Sequence, residues 1–469
     1  MHACYLVIFS TTPLKIMYKA ALLLCFIAFI YIISGFFKTI LDLVGLPNII
    51  PVTRDLILFS LSFISIYRSN IFKEKYFFIP ILFVLLILVL NILIAVFDSR
   101  IYAGFYYSRI YLIPLFFSVA SFGLIIPLSR DEIFRLVRFI YICGALLIFS
   151  AVAIFLAVEY DPFLKVYLMS GMGGMVGMQG LGGVSGDQIK LATAWYIAGS
   201  SWMRMGIPAT SPNSLGLITA LFVLFLLIVQ FSGRAKEVGG KYFKFVLCIS
   251  ISVLLLTFSR SSWLACLTGL FLVAFSFRDN LFHRSYLRPM AIAGFIFSAA
   301  FILVITLIAI DIYNDGSVGI WINLGLTGKD PSIIGHLDSF VEAWYLLDQY
   351  IYIGFPRGSV GPKAILFGGR IFNAENSIIG IFFDMGIPIG LALIVAIGLI
   401  LRGLWQDHFQ LSILIPFLVA AQFLPYSFES DVIVFFLMIY VVTGRLMSFP
   451  TKSNSAADEI DKSTSKINY

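Results

Sequence analysis

Runs of about twenty apolar residues recur along this chain, among them Phe77 to Phe97, Ile110 to Leu128, Phe139 to Val158, Ser214 to Phe231 and Met290 to Ile310. A helical run of that length crosses the roughly 30 Å hydrocarbon core of a bilayer. Backbone polar groups find no water there, so such segments must close their own hydrogen bonds, as helices do. A barrel would show shorter stretches of alternating polarity, and none stands out. Composition agrees, because 60% of the 469 residues are apolar and only 12% are charged, whereas soluble domains carry roughly a quarter. The expected fold is all-α, a polytopic membrane protein with about twelve transmembrane helices. They are expected at 20–36, 50–67, 77–97, 110–128, 139–157, 212–231, 245–259, 262–277, 289–310, 377–401, 411–425 and 431–447.

The formal net charge of +7 does not describe a nucleic-acid surface, because the basic residues fall in short clusters between apolar blocks. Arg68/Lys73/Lys75, Arg130/Arg135/Arg138, Arg234/Lys236/Lys241/Lys244 and Arg278/Arg284/Arg288 are four such clusters. With these and both termini in the cytoplasm, about 20 of the 32 Lys and Arg residues lie on that side, as the positive-inside rule requires. Residues 1–447 read as one membrane domain and 448–469 as a polar cytoplasmic tail, expected to be disordered. Lys15 and Lys19 before an apolar run resemble a signal peptide, but no small-x-small cleavage site follows, so a retained first span is expected. Met17 stands directly before that span and is the expected native start. The five cysteines, Cys4, Cys25, Cys143, Cys248 and Cys266, lie near the N-terminus or inside predicted spans, so no disulfide framework is indicated.

Two segments on the outward side, about 159–211 and 311–375, are too long for simple turns, and long loops on one face carry function. The first holds a glycine-rich stretch, 170–186, whose composition disfavours a helix. It reads as a flap over a site or as a plain connection, and without a following Gly-Lys-Ser/Thr it is no nucleotide cradle. In the second, Leu337, Phe340, Val341, Trp344 and Leu347 recur at helical spacing and predict an amphipathic helix outside the bilayer.

Seven arginines fall on the outward side: Arg54, Arg100, Arg109, Arg204, Arg260, Arg357 and Arg370. Arginine holds phosphate bidentately and stays charged, so several converging on one cleft would bind a diphosphate. Arg260 lies in a tight turn between two apolar blocks, where a charge is a functional candidate or a residue that snorkels to headgroups. Arg204 precedes Pro208-Ala-Thr-Ser-Pro-Asn213, in which Ser211 can cap a helix and Pro212 suits its first turn, setting a positive helix end beside the arginine. Glu375-Asn376-Ser377 opens another apolar helix. Glu375 is placed to accept a proton, although an acid at a helix start also has a plain electrostatic role. A helix end and nearby arginines would keep it ionised while weakening its basicity. Asp384 lies further along that helix.

In this order and topology the three segments resemble the O-antigen ligase and polymerase (Wzy/WaaL-type) superfamily. They supply Arg204-x-Gly206 followed by Pro212-Asn213-x-x-Gly216, a Ser259-Arg260 turn between spans, and a Glu375-Asn376 segment followed by paired glycines. Gly335-His336-Leu337 and Gly354-Phe-Pro-Arg-Gly358 resemble the loop region of the polymerases. The resemblance covers roughly Arg100 to Gly390.

What the resemblance implies is metal-independent, inverting glycosyl transfer, without a cofactor, on the outer face of the bacterial inner membrane, with undecaprenyl diphosphate as the leaving group. Arg204 and Arg260 would bind the diphosphate, helped by Asn213, Asn376, Arg100, Arg109, Arg357 and Arg370. Glu375 or His336 would activate the acceptor hydroxyl. The ligases carry a histidine before the Asn, and Glu375 in its place favours a repeat-unit polymerase of O-antigen, capsule or exopolysaccharide. The partners implied are the lipid-linked glycan donor and acceptor, membrane lipids and a chain-length regulator protein. A ligase transferring polymer to lipid A core, and a transporter or flippase of the lipid-linked unit, are the alternatives. A transporter would need charges deep within several spans, and few are apparent.

Overall fold

The computed structural model describes residues 2–43, 49–69, 74–97, 99–160, 204–209, 211–277, 377–422 and 430–449, with short pieces between 342 and 371. The architecture is helical. α1 spans His2–Leu43, α2 Ile50–Arg68, α3 Lys75–Phe97, α4 Ile101–Leu124 and α5 Arg130–Tyr160. α6 (Pro212–Phe231), α7 (Ala235–Gly239), α8 (Phe243–Leu256) and α9 (Arg260–Ser276) follow. α10 (Ser377–Met385), α11 (Ile387–Gly403), α12 (Leu411–Ala421) and α13 (Ser430–Met447) complete the chain order. Among the described residues the exception is a two-residue parallel pairing of Val360–Gly361 with Arg370–Ile371.

Among the described residues, eight helices are long and apolar enough to cross a bilayer, and Arg260–Ser276, Ile387–Gly403 and His408–Ala421 are shorter apolar helices. The chain is thus a multi-pass α-helical membrane protein. The expected span at 289–310 lies outside the described residues, as do most of both long loops. Of the predicted amphipathic helix, Glu342 and Tyr345 are helical and the rest lies outside.

α1 runs well beyond the expected 20–36 at both ends, and three other boundaries differ from expectation, each for a local reason. α5 begins at Arg130, because Glu132 reaches back to the Ser129 N–H at 2.9 Å and hydroxyl at 2.7 Å, a capping arrangement that starts the helix ahead of its apolar run. α4 begins at Ile101, so Arg109 sits inside the helix rather than before it. The span expected at 377–401 is two helices. Gly386 adopts φ +76° between them, and Pro388 two residues later lacks an N–H and would clash with the preceding turn. Gly386-Ile-Pro388 was a legible break signal that the apolar run concealed.

α6 and α13 form the centre. Nearly every residue of α6 is buried, and it packs against α8, α9, α12 and α13. Its glycine-facing contacts are close: Gly144 of α5 admits Phe222, and Gly269 of α9 admits Leu224. α2 and α3 expose Val52, Leu56, Phe63, Ile79 and Leu86, which suits a lipid-facing surface. At the far end of α6, basic residues of the expected cytoplasmic clusters clamp helix ends. Arg234 donates to the Leu446 carbonyl and, at 2.7 Å, to that of Phe449, and Arg138 donates to the Glu237 carbonyl at 2.6 Å.

Candidate functional site

The site is built on the start of α6. Ser211 caps that helix, its hydroxyl accepting from the Ser214 N–H at 3.1 Å, and Pro212 follows at the first helical position. Both roles are those the sequence predicts. Ahead of the cap, residues 204–209 are held against the bundle by Met205, Ile207 and Ala209, all buried, and by the Met205 N–H on the Leu256 carbonyl at 3.0 Å.

That bond brings Arg204 to the turn between α8 and α9. Phe258 closes α8 at φ +48°, a left-handed conformation that bulky residues seldom adopt. The turn leaves carbonyl groups at the end of α8, and Arg204 takes them: Nε donates to Thr257 O at 3.0 Å and a terminal nitrogen to Phe258 O at 3.4 Å. The same terminal nitrogen donates to the Asn213 side-chain oxygen at 2.8 Å. Arg204 therefore joins two predicted segments and also caps the negative end of α8.

Arg260 is the first residue of α9, immediately after its N-cap Ser259. It lies close enough to Arg204 to repel it. Desolvation first, and the Arg260 charge second, lower the Arg204 pKa to about 10, so Arg204 keeps its charge at neutral pH. The starts of α6 and α9 meet here, because a β-carbon on Gly216 would stand 2.7 Å from the Ser262 hydroxyl and 2.9 Å from that of Thr257. Ser259 and Ser262 share a hydrogen bond at 2.8 Å, and Trp263 Nε1 donates back to the Leu254 carbonyl at 2.9 Å. Two arginines and two positive helix ends converge, an arrangement that lowers the free energy of an anion, above all a phosphate.

The other expected residues divide. Arg100 is the N-cap residue of α4, and Arg109 lies on α4 within a second cluster with Arg54, Asp55 and Tyr31. Arg109 thus bonds from α4 to Asp55 of α2, and Arg54 bonds to Asp55 and to Ser34 of α1, whereas Arg204 bonds to α6 and the α8–α9 turn. Arg370 has its backbone in the short parallel pairing; its side chain, and Glu375, Asn376, His336 and Arg357 entirely, lie outside the described residues. Glu375 and Asn376 directly precede Ser377, the buried first residue of α10.

α10 is fixed by contacts at its far end. Gly354, at φ +78°, packs on the α10–α11 break, where a β-carbon would stand 2.6 Å from both Gly386 N and Phe383 O. Around it the Phe355 N–H donates to Phe383 O and the Ile387 N–H to Ile351 O, both at 2.8 Å. Asp384 accepts from the Tyr111 hydroxyl at 3.0 Å, tying α10 to α4. Beside Tyr111 lies an apolar cavity of about 450 Å³, walled by Pro114, Ile381, Leu393, Phe417 and Phe436.

Sequence reasoning missed Asp55, Tyr31 and the Thr257 and Phe258 carbonyls. Asp55 directly follows Arg54, a charge pair inside an apolar block that was readable as an intramembrane site. The carbonyls could not be found that way, since their availability depends on the turn. Among the described residues no group of three or more His, Cys, Asp or Glu is placed to hold a metal ion. Comparison of the chain with protein-family models, curated proteins and solved structures returned no match.

Proposed function

We propose that this protein is a polysaccharide polymerase that joins undecaprenyl-diphosphate-linked oligosaccharide units at the outer face of a bacterial inner membrane. The observation that carries the reading is the meeting of Arg204 and Arg260 with the starts of α6 and α9. In glycosyl transfer from a lipid diphosphate, negative charge develops on the departing oxygen. Fixed guanidinium groups and helix dipoles stabilise it with little reorganisation.

In the proposed step an acceptor sugar hydroxyl attacks the anomeric carbon of the donor as the bond from that carbon to the diphosphate oxygen breaks. The hydroxyl proton passes to Glu375, or to His336, and the lipid diphosphate leaves as an anion against Arg204 and Arg260. Attack opposite the leaving group inverts the anomeric centre. The reaction requires neither metal nor cofactor. Twelve spans, with loops 159–211 and 311–375 facing outward, would set this end of α6 outside the cell and the basic clusters in the cytoplasm. The apolar cavity beside Tyr111 offers volume for part of an isoprenoid tail.

One observation favours a second reading, a flippase of the lipid-linked unit. Arg54, Asp55 and Arg109 lie within membrane-length helices, more intramembrane charge than the apolar blocks disclosed. The readings separate in liposomes containing the purified protein and lipid-diphosphate-linked repeat units. A ladder of polymer supports the polymerase. Movement of intact lipid-linked units across the bilayer without a ladder overturns it.

A further inference from the structure

The cluster on α2 and α4 has a charge arrangement and a cavity of its own. Asp55 accepts from the Tyr31 hydroxyl at 2.6 Å and from Arg54 Nε at 3.3 Å through one oxygen. Its other oxygen accepts from Arg109 Nε at 2.8 Å and lies 2.6 Å from a terminal nitrogen of the same guanidinium. Arg54 is held further by the Ser34 hydroxyl and by the Tyr31 ring, 4.0 Å beneath its guanidinium carbon. Two arginines thus share one carboxylate, and among the described residues the cluster carries one net positive charge. Such a charge within apolar helices is costly unless an anion meets it.

The geometry shows where that anion would come from. Arg54 and Asp55 lie about one turn inside α2, roughly 7 Å along its axis, and Arg109 about two turns inside α4, roughly 12 Å. With the first residue of each helix taken as the membrane edge, these depths fall just beneath the headgroup region. A cavity of about 320 Å³ opens beside Asp55 and Arg109, with walls of Val52, Leu56, Phe59, Leu112 and Phe116. Val52, Leu56 and Phe59 are exposed on α2, the least buried of the membrane-length helices among the described residues, so the cavity opens onto a surface that suits lipid. The Arg109 side chain is 39% exposed and that of Arg54 9%, so Arg109 presents the charge while Arg54 and Asp55 fix it in place. A polar floor with surplus positive charge and apolar walls matches a phosphate attached to hydrocarbon chains.

We propose that the Arg54–Asp55–Arg109 cluster binds the phosphate of an anionic membrane phospholipid whose acyl chains lie along the α2–α4 face. The assignment is independent of glycosyl transfer.

The test uses the full-length protein in nanodiscs with a phosphatidylglycerol bearing a photoactivatable group in one acyl chain, followed by peptide mapping after irradiation. Labelling is expected to concentrate on α2 and α4 near Leu56, Phe59 and Phe116. Unlabelled phosphatidylglycerol should compete. Diacylglycerol, which lacks the phosphate, and inorganic phosphate, which lacks the chains, should not. Arg109→Gln should reduce labelling of these peptides about tenfold, as for loss of one charge-assisted phosphate contact, and Arg109→Lys should retain most of it. Labelling spread evenly over the lipid-facing helices overturns the proposal, as does equal competition by diacylglycerol. Competition by inorganic phosphate as effective as by the phospholipid makes the site one for a soluble anion and also overturns it. The competition arms use the unaltered protein and decide the matter even if Arg109→Gln fails to insert.

Discussion

Gly216 of α6 faces Ser262 of α9 so closely that a β-carbon on the glycine would lie 2.7 Å from the serine hydroxyl. Thr257 and Ser259 close in from the other sides, at 2.9 and 3.0 Å. The final glycine of Pro212-Asn-x-x-Gly216 is therefore a spacing element that lets two helix starts approach one another. Gly216→Val should force them apart and cost about 1–3 kcal/mol by overpacking, more than the gain in helix propensity of roughly 0.5 kcal/mol returns. Polymer formation should fall about a hundredfold, since misplacement by about 1 Å can cost that much. Thermal unfolding and a polymer assay on the same preparation check both figures, and unchanged polymer yield would remove Gly216 from the site.

Arg204 has two jobs, and they can be separated. Arg204→Ala removes both the charge and the ties to Thr257, Phe258 and Asn213, and is expected to abolish polymer with a stability loss of about 1–3 kcal/mol from unsatisfied carbonyls. Arg204→Lys keeps a charge but cannot span three acceptors, so binding of a lipid diphosphate should weaken about tenfold. Arg260→Ala should also abolish polymer. Isothermal titration with a short-chain isoprenyl diphosphate measures the binding terms.

Burial and Arg260 lower the Arg204 pKa to about 10 from a usual value of 12.5. The group keeps its charge at neutral pH and loses it earlier in the folded protein than in the unfolded chain. The folded-state penalty on the charged form is thus present below about 10 and is relieved as pH rises through that value. Anion binding has the opposite sign, because it needs the charge. Affinity for diphosphate should be level around neutrality and fall as pH passes about 10, and Arg204→Ala should lack this step. Titrations at constant ionic strength decide it, and a level profile through pH ~11 would exclude Arg204 from the binding charge.

The α10–α11 break rests on Gly354 against Gly386. Gly354→Ala introduces a β-carbon among three backbone atoms at a positive φ, and should cost about 2 kcal/mol or more. Backbone atoms cannot swing aside as a side chain can. Because α10 follows directly on Glu375 and Asn376, activity should fall more steeply than stability. Pro388→Ala should be tolerated within about 1 kcal/mol, since Gly386 still breaks the helix. Unfolding midpoints and initial rates of polymer formation for both variants test this.

Asp55 holds two arginines, and removing its charge leaves both uncompensated. Asp55→Asn should destabilise the protein by about 1–3 kcal/mol, less than for a fully buried ion pair because the Asp55 and Arg109 side chains are 26% and 39% exposed. The double variant Asp55→Asn/Arg54→Gln should recover part of that loss. A double-mutant cycle by thermal unfolding measures the coupling, and additive effects would show that Asp55 does not unite the pair.

Much of the candidate site was legible at short range. Ser211 capping α6, Pro212 in its first turn and Arg260 at a turn between helices all follow from local chemistry, since a cap acts within three or four residues. The broken helix at Gly386 was equally local, yet a long apolar run outweighed a single Gly-x-Pro. Arg109 was misplaced by a similar boundary error, because the polar residues of Ile101–Arg109 conceal a helix whose Gly104 and Ser108 pack on α3. Glu375, Asn376, His336 and Arg357 lie beyond the described residues, and their roles rest on sequence resemblance.

By itself the sequence determined that the chain is helical and membrane-embedded, because hydrocarbon accepts only segments that satisfy their own backbone. It also determined where α6 begins and, to within two residues, where α9 does. Only the tertiary structure decided that these two starts coincide. Separations of tens of residues carry no geometric information until Gly216 removes the bulk that would hold the helices apart and Arg204 ties the end of α8 to Asn213. It likewise decided that Arg204 and Arg260 gather around the α8–α9 turn while Arg54 and Arg109 meet on α2 and α4, because charge grouping depends on which helices pack together.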